Sequence, residues 1–298
     1  MRKIKKAVIT AAGLGTRMLP ASKAAAKEML PIVDKPAIQY VVEEAVNSGI
    51  TDILIITGRD KCAIENHFDY SPEYELALKN KNDDKTLEML RGIANLANIY
   101  YIRQKETRGL GHAVLCAKSF IGSDNFAVMY GDDVITGDIP AVGELIQVYE
   151  NYGVSVAGVK QVPRADLQKY CSLKVEPAKN PGEFYVYDMN EKPKSESEIF
   201  SDYAILGRVI LTPEIFGILE KQPPGANNEI QLTDSMKTLA LSGDSQANIK
   251  MVAKVFTGER HDIGSKFGFL RANILEGLKH PDIGGDLREF IKRIAPEL

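Results

Sequence analysis

The segment AAGLGTRMLPASKAAAKEMLP, residues 11–31, gathers Gly13, Gly15, Arg17, Lys23 and Lys27 around little side-chain bulk. Glycines let backbone N–H groups approach an anion closely, and three cations within eleven positions can neutralise a triphosphate tail. Neither common phosphate loop fits. A dinucleotide fingerprint and a Walker A loop both require glycine where this chain has Met18. Taken alone, the segment is equally a tight strand-to-helix turn with solvated lysines, so its neighbours must decide.

Three later motifs bear on that choice. In FAVMYGDDV, an apolar run ends at Gly131 and is followed by Asp132 and Asp133. Adjacent carboxylates are costly to crowd unless a cation sits between them and an anion; the alternative is an ordinary surface turn. Magnesium bridging Asp132 to phosphates on the opening loop would explain both motifs together. In NEKP, Glu191 can accept hydroxyl hydrogen bonds and Lys192 can hold a phosphate as a point charge, although a solvated turn reads the same way. In ERHDIGS, Asp262 is a second metal ligand, a residue that begins a helix near Ser265, or both. His112, in GLGHAVLCA, begins an apolar helix and reads as a packing or capping residue rather than a catalyst. No Ser/His/Asp or Cys/His spacing is present.

The elements that must position these residues are α/β in pattern. Short apolar runs at 7–10, 53–57, 99–102, 126–130 and 154–159 suit strands covered on both faces, as in a parallel sheet. Open sheets of this kind bind ligands at the carboxyl ends of their strands, where the opening loop lies. Between the first two runs, Ile38, Val41, Val42, Ala45 and Val46 recur at helical spacing, with Pro36 in the first turn and Gly49 at the C-terminal cap, completing one βαβ unit. Further helices are expected at 110–119, 140–151, 213–221, 229–241 and 265–279, and an amphipathic one near 285–293. Residues 160–210 read as an inserted antiparallel β region packed on the main sheet, and 79–85 as the one plausible mobile tract.

Composition narrows the function classes. The 298 residues are 44% hydrophobic and 26% charged, ordinary for a globular protein. With 37 basic and 40 acidic residues and no basic block, nucleic acid is not an expected partner. Cys62, Cys116 and Cys171 lie far apart in no CxxC spacing, so neither a disulfide framework nor a zinc site is expected and the cytoplasm is the simplest compartment. The opening MRKIKKAVIT imitates a signal peptide, but glycines and Arg17 follow at once. No apolar run approaches the ~20 residues that span a bilayer, so a membrane association is not expected.

Taken together, AAGLGTR, KEMLPIVDKPAIQY, IRQKE followed by GLGHAV, GDD, EKP, NEIQLTD and HDIG resemble, in order and spacing, the bacterial UTP:glucose-1-phosphate uridylyltransferases, over about residues 5–278. The resemblance implies a Rossmann-like nucleotidyltransferase core with a mixed, mostly parallel sheet. One domain would span 1–278, with a nucleotide-binding half at about 1–160 and a sugar-binding region at about 161–228, and a C-terminal helix would occupy 279–298. It further implies that Ala12, Gly13, Gly15, Thr16 and Arg17 surround the nucleotide phosphates, with Lys27 joining Arg17 on the departing pyrophosphate. Glu28, Gln104 and Gly109 would surround uracil and ribose. Asp132 and Asp262 would hold Mg2+. Asp133, Cys171, Glu191, Lys192 and Gly207 would line the sugar site, with Lys192 on the sugar phosphate.

The implied reaction converts UTP and glucose 1-phosphate to UDP-glucose and pyrophosphate, in a homodimer or homotetramer. A related enzyme using another hexose 1-phosphate or dTTP, and a non-catalytic paralogue that binds nucleotide sugars, are the alternatives. Four positions depart from the family pattern: Thr10 and Ala26 replace prolines, which bears on the stiffness of the opening loop, Cys171 replaces a glycine facing the sugar, and Val209 replaces a tyrosine. Bulk at Cys171 is expected to crowd the hexose.

Overall fold

The computed structural model describes residues 3–243 and 245–297, so the first two residues of the basic opening lie outside the described residues. Its strands are β1 (Lys6–Ala11), β2 (Pro31–Ile32), β3 (Lys35–Pro36), β4 (Asp52–Thr57), β5 (Asn98–Arg103), β6 (Phe126–Tyr130), β7 (Asp133–Thr136), β8 (Ser155–Gln161), β9 (Cys171–Pro177), β10 (Glu183–Glu191), β11 (Tyr203–Leu211), β12 (Met251–Val255) and β13 (Glu259–Asp262). The helices are α1 (Ala37–Asn47), α2 (Cys62–Phe68), α3 (Pro72–Asn80), α4 (Asp84–Ala94), α5 (Leu110–Leu115), α6 (Lys118–Ile121), α7 (Ala141–Tyr152), α8 (Glu214–Leu219), α9 (Leu232–Leu241), α10 (Lys266–Lys279) and α11 (Gly284–Ile294).

Nine strands form one sheet in the order β5-β4-β1-β6-β11-β8-β12-β10-β9. The strands β5, β4, β1 and β6 are parallel, which brings the carboxyl ends of β1, β4 and β6 to one edge. The unbroken apolar runs conceal an alternation. Val8, Leu54 and Ile56 face a core built with Val114 of α5, Phe216 of α8 and Leu239 of α9, whereas Ile9, Ile53 and Ile55 face α1 and α7. Both faces are dry, so neither half of the alternation needs a polar residue.

Strands β9, β10 and β11 are antiparallel to their neighbours, and they are continuous with the main sheet: β11 lies between β6 and β8, and β10 and β9 extend the far edge. The expected helix over 229–241 begins only at Leu232. Ile230 is held out of the helix because its N–H donates to Arg108 O at 2.7 Å and its carbonyl accepts from Gly111 N at 2.8 Å. The tract at 79–85 is the tight turn joining α3 to α4, where the Asp83 carboxylate caps Thr86 N at 3.1 Å. The expected helix at 110–119 divides into α5 and the one-turn α6. No helix among the described residues is long and apolar enough to cross a membrane.

Candidate active site

The opening loop leaves the end of β1 and folds back through three short 3-10 turns at Thr16–Met18, Ala21–Lys23 and Lys27–Met29. Gly15 sits in the left-handed region at φ 70°, and a Cβ there would stand 3.2 Å from that of Ser22. The Ser22 hydroxyl donates to Gly15 O at 2.7 Å, tying the loop to itself. Ala26 is buried in the core, and Thr10 lines the cleft.

Returning on itself, the loop sets Lys27 against Asp132, with Nζ on Oδ2. Burial alone would lower the Lys27 pKa, but Asp132 and Glu28 outweigh it and raise it. Burial likewise works to raise Asp132, and Lys27 with Arg17 overrides it, holding the carboxylate below its usual range. Arg17 reaches Asp262 Oδ2 at 3.5 Å. Asp262 arrives by way of a two-stranded ribbon in which it pairs with Asp133, while Ile263 N donates to Asp132 O at 3.1 Å. A Cβ on Gly264 would lie 2.6 Å from Arg17 Nη2, 3.0 Å from Asp262 Oδ1 and 3.1 Å from Asp132 Oδ2, so these groups converge on one point. Two converging carboxylates beside Arg17 and Lys27 are a donor set magnesium accepts, since it is held by one or two carboxylates and completes its shell with phosphate and water. The residues therefore fit a magnesium ion, although no cluster of three or more acidic, His or Cys ligands exists among the described residues.

Beside this point lies a cleft of about 440 Å³. Its wall includes Ala12, Gly13, Gly15, Thr16, Lys27, Glu28, Gln104 and Gly109, so every residue assigned from sequence to the nucleotide, apart from Arg17, is brought to it. Glu28 is 1% exposed and is met by a residue the sequence reading omitted, Lys61. Lys61 Nζ donates to both Glu28 oxygens at 3.0 and 2.8 Å and to Ala11 O at 2.5 Å, which fixes the Glu28 turn to the end of β1. Burial pushes Glu28 up and Lys61 down, each against the pull of the other. His112 makes its side-chain contact with Gln104, at 2.9 Å.

A second compartment, about 340 Å³, adjoins the first, and Tyr130, Leu110 and Asp132 line both. Arg17, Asp133, Cys171, Glu191, Lys192 and Asp262 lie along it. Glu191 and Cys171 face each other across β10 and β9, and Glu191 Oε2 accepts from Thr233 Oγ1 at 3.0 Å. Burial raises the Glu191 carboxyl, opposed by Thr233 and Lys192. Lys192 occupies the left-handed region at φ 51°, unusual for a non-glycine residue, and is held there by a hydrogen bond from its N–H to Tyr170 O at 2.9 Å. Burial pushes Asp133 up to about 6 against the opposing pull of Arg260.

One sequence assignment, Gly207, and the departure at Val209 lie elsewhere. Gly207 stands behind Asp133 rather than along the compartment: at φ 70°, a Cβ there would meet Asp133 Oδ2 at 2.5 Å. Val209 is fully buried between β6 and β8, away from either cleft. Arg260, missed from sequence, pairs with Asp133 at 2.6 Å and donates to the Tyr170 hydroxyl at 3.2 Å. It lies two residues before Asp262 on β13, and a strand periodicity applied to ERHD places both on one face. No comparable sequence signal marks Lys61.

The profile of a family described as nucleotidyl transferase matches residues 6–275. A UTP--glucose-1-phosphate uridylyltransferase of Staphylococcus epidermidis is 50% identical over 295 residues, covering 99% of each chain. Another, from Bacillus subtilis, is 48% identical over 296 residues, covering 98% of this chain and 96% of its own. Among solved structures, a UDP-glucose pyrophosphorylase complexed with UDP-glucose matches with a TM-score of 0.81 at 40% identity, covering 93% of this chain and 100% of that one. A UTP-bound UGPase from Acinetobacter baumannii matches with a TM-score of 0.85 at 37% identity, covering 97% and 98%. With the profile spanning most of its length and relatives at this identity, the chain belongs to the nucleotidyl transferase family, among the UTP--glucose-1-phosphate uridylyltransferases.

Proposed function

We propose that this chain transfers the uridylyl group of UTP to glucose 1-phosphate, forming UDP-glucose and pyrophosphate. One observation carries the reading: the two clefts share the wall formed by Asp132, Tyr130 and Leu110, so a nucleotide in the first and a sugar phosphate in the second meet beside Asp132.

The chemistry needs no protein nucleophile. An anionic oxygen of glucose 1-phosphate forms a bond to the α-phosphorus in line, the bond from that phosphorus to the β-bridging oxygen breaks, and its electron pair leaves on pyrophosphate. Catalysis then consists of positioning and charge neutralisation. Lys192 holds the sugar phosphate and Glu191 the sugar hydroxyls. Arg17 and Lys27 release their carboxylate partners and take up the charge that develops on pyrophosphate. Asp132 and Asp262 would hold magnesium, which when bound supplies further charge neutralisation at the phosphates. Glu28, Gln104 and Gly109 contact uracil and ribose, and the backbone of Ala12, Gly13, Gly15 and Thr16 contacts the phosphates.

Residues 1–278 act as one catalytic unit in this reading, which places the enzyme in the cytoplasm as a homodimer or homotetramer. The test is a matrix of nucleoside triphosphates against sugar 1-phosphates with magnesium, read by pyrophosphate release. UTP with glucose 1-phosphate is expected to give the highest kcat/KM. A preference for dTTP or another hexose moves the assignment to a related transferase, and no release with any pair removes the enzymatic reading.

A further inference from the structure

Gln104 and His112 form a unit that the reaction chemistry leaves unexplained. Gln104 is 5% exposed at the wall of the nucleotide cleft, just beyond the end of β5. Its Nε2 donates to Gly109 O at 3.1 Å and lies 2.9 Å from His112 Nδ1. A backbone carbonyl can only accept, so the amide nitrogen, not the oxygen, must face Gly109. That fixes His112 as well: its Nδ1 must accept, so the ring carries its proton on Nε2. Both donors of the Gln104 amide are thereby used inside the protein. Its Oε1 is left to face the ligand as an acceptor.

We propose that His112 is a positioning residue for base selection, locking the Gln104 amide so that the nucleotide meets an acceptor and not a donor. The inference rests on the reading of Gln104 as a base contact. Uracil and thymine carry an N–H at N3 that such an acceptor recognises. Cytosine presents a lone pair at N3, and two acceptors facing each other are repelled. A site that leaves a buried polar group unpaired discriminates strongly against the wrong ligand. If the ring is replaced by an apolar side chain, only Gly109 O holds the amide, and the flipped orientation that donates to cytosine becomes accessible. Burial, reinforced by Arg108 and opposed by Glu106, lowers the His112 pKa, consistent with a ring kept neutral so that Nδ1 can accept.

The test compares kcat/KM for UTP and CTP in wild type, His112→Leu, His112→Gln and Gln104→Ala, with folding checked by circular dichroism. The UTP:CTP ratio is expected to fall about fivefold or more in His112→Leu, mainly through the KM for UTP, since an unsatisfied buried polar group weakens binding by at least that factor. His112→Gln, which can still offer an acceptor, should retain most of the ratio. A merely structural role would lower the melting point and leave the ratio unchanged.

If Gln104→Ala moves the ratio and a folded His112→Leu does not, the positioning role is wrong while the base contact stands. If neither moves it, both are wrong. Should His112→Leu fail to fold, the wild-type tautomer decides by nitrogen NMR: protonation at Nε2 alone is required, and a proton on Nδ1 overturns the proposal.

Discussion

Lys27 Nζ rests on Asp132 Oδ2, joining the opening loop to the GDD turn across 105 positions. The cation that takes up pyrophosphate charge in the proposed reaction is here the counter-ion of the carboxylate that would hold the metal. In the proposed reaction, nucleotide and metal binding are coupled through this one ion pair. Asp132→Ala is expected to lower kcat by on the order of 10²–10³ or more at matched folding. Lys27→Met should lower kcat comparably, yet bind Mn2+ more tightly than wild type in the absence of nucleotide, as read by electron paramagnetic resonance. Full activity in Asp132→Ala, or weaker Mn2+ binding in Lys27→Met, would contradict this coupling.

Cys171 is 2% exposed and lines the second compartment, proposed to take the sugar, opposite Glu191. Removing its side chain enlarges the space beside the carboxylate proposed to hold the hexose hydroxyls. Cys171→Gly is expected to lower the KM for glucose 1-phosphate and leave the KM for UTP unchanged. Steady-state kinetics with each substrate varied in turn checks both, and an unchanged or raised sugar KM counts against crowding.

Arg208 is fully buried, pairs with Glu44 at 2.7 Å, and donates to the backbone oxygens of Gly207 and Asp133 at 2.9 Å each. It anchors α1 to β11 and supports Asp133 from behind. Truncating one partner of a buried pair strands the other charge, so Arg208→Met should cost about 3–5 kcal/mol in urea denaturation. A loss within the ~1 kcal/mol range of exposed pairs would show that the site is not held this way.

His67 gives a pH-dependent signature outside the clefts. Its Nε2 meets Gln39 Oε1 at 2.8 Å, and burial, opposed by Glu43, lowers its pKa from 6.5. With the folded value depressed, the unfolded chain binds the proton first, so the stabilisation is complete above pH 6.5 and declines as pH falls below it. The melting point of wild type relative to His67→Gln should therefore decrease from pH 7.5 to 5.5. A constant or rising difference would mean that the ring protonates equally well when folded.

The βαβ start was readable because local pattern decides it: unbroken apolar runs, Pro36 and Gly49 mark β1, α1 and β4 without knowledge of the rest of the chain. Gly49 indeed adopts φ 81° just beyond α1. The cluster 62–94 was not readable, since the surfaces of α3 and α4 are mostly polar and α3 has no buried residue. At the site, the residue types were evident but their partners were not. Asp132 and Asp262 meet only because β7 and β13, four residues each, pair across more than a hundred positions, a register no local window carries. Lys61 resembles any lysine before a helix until β1 and the Glu28 turn close over it. Gly207 stands behind Asp133 for the same reason: its approach to the Asp133 side chain is a contact between β11 and β7 that no local window carries.

The central claim is that UTP and glucose 1-phosphate are joined in a single displacement beside Asp132. Incubating the enzyme with magnesium, UTP labelled at the α-phosphate and glucose 1-phosphate, and quenching within the first turnover, tests it most directly. The account predicts label in UDP-glucose in step with equimolar pyrophosphate, and none attached to the protein at any time. Label bound covalently to the protein before the sugar nucleotide forms, or pyrophosphate released without UDP-glucose, would contradict it.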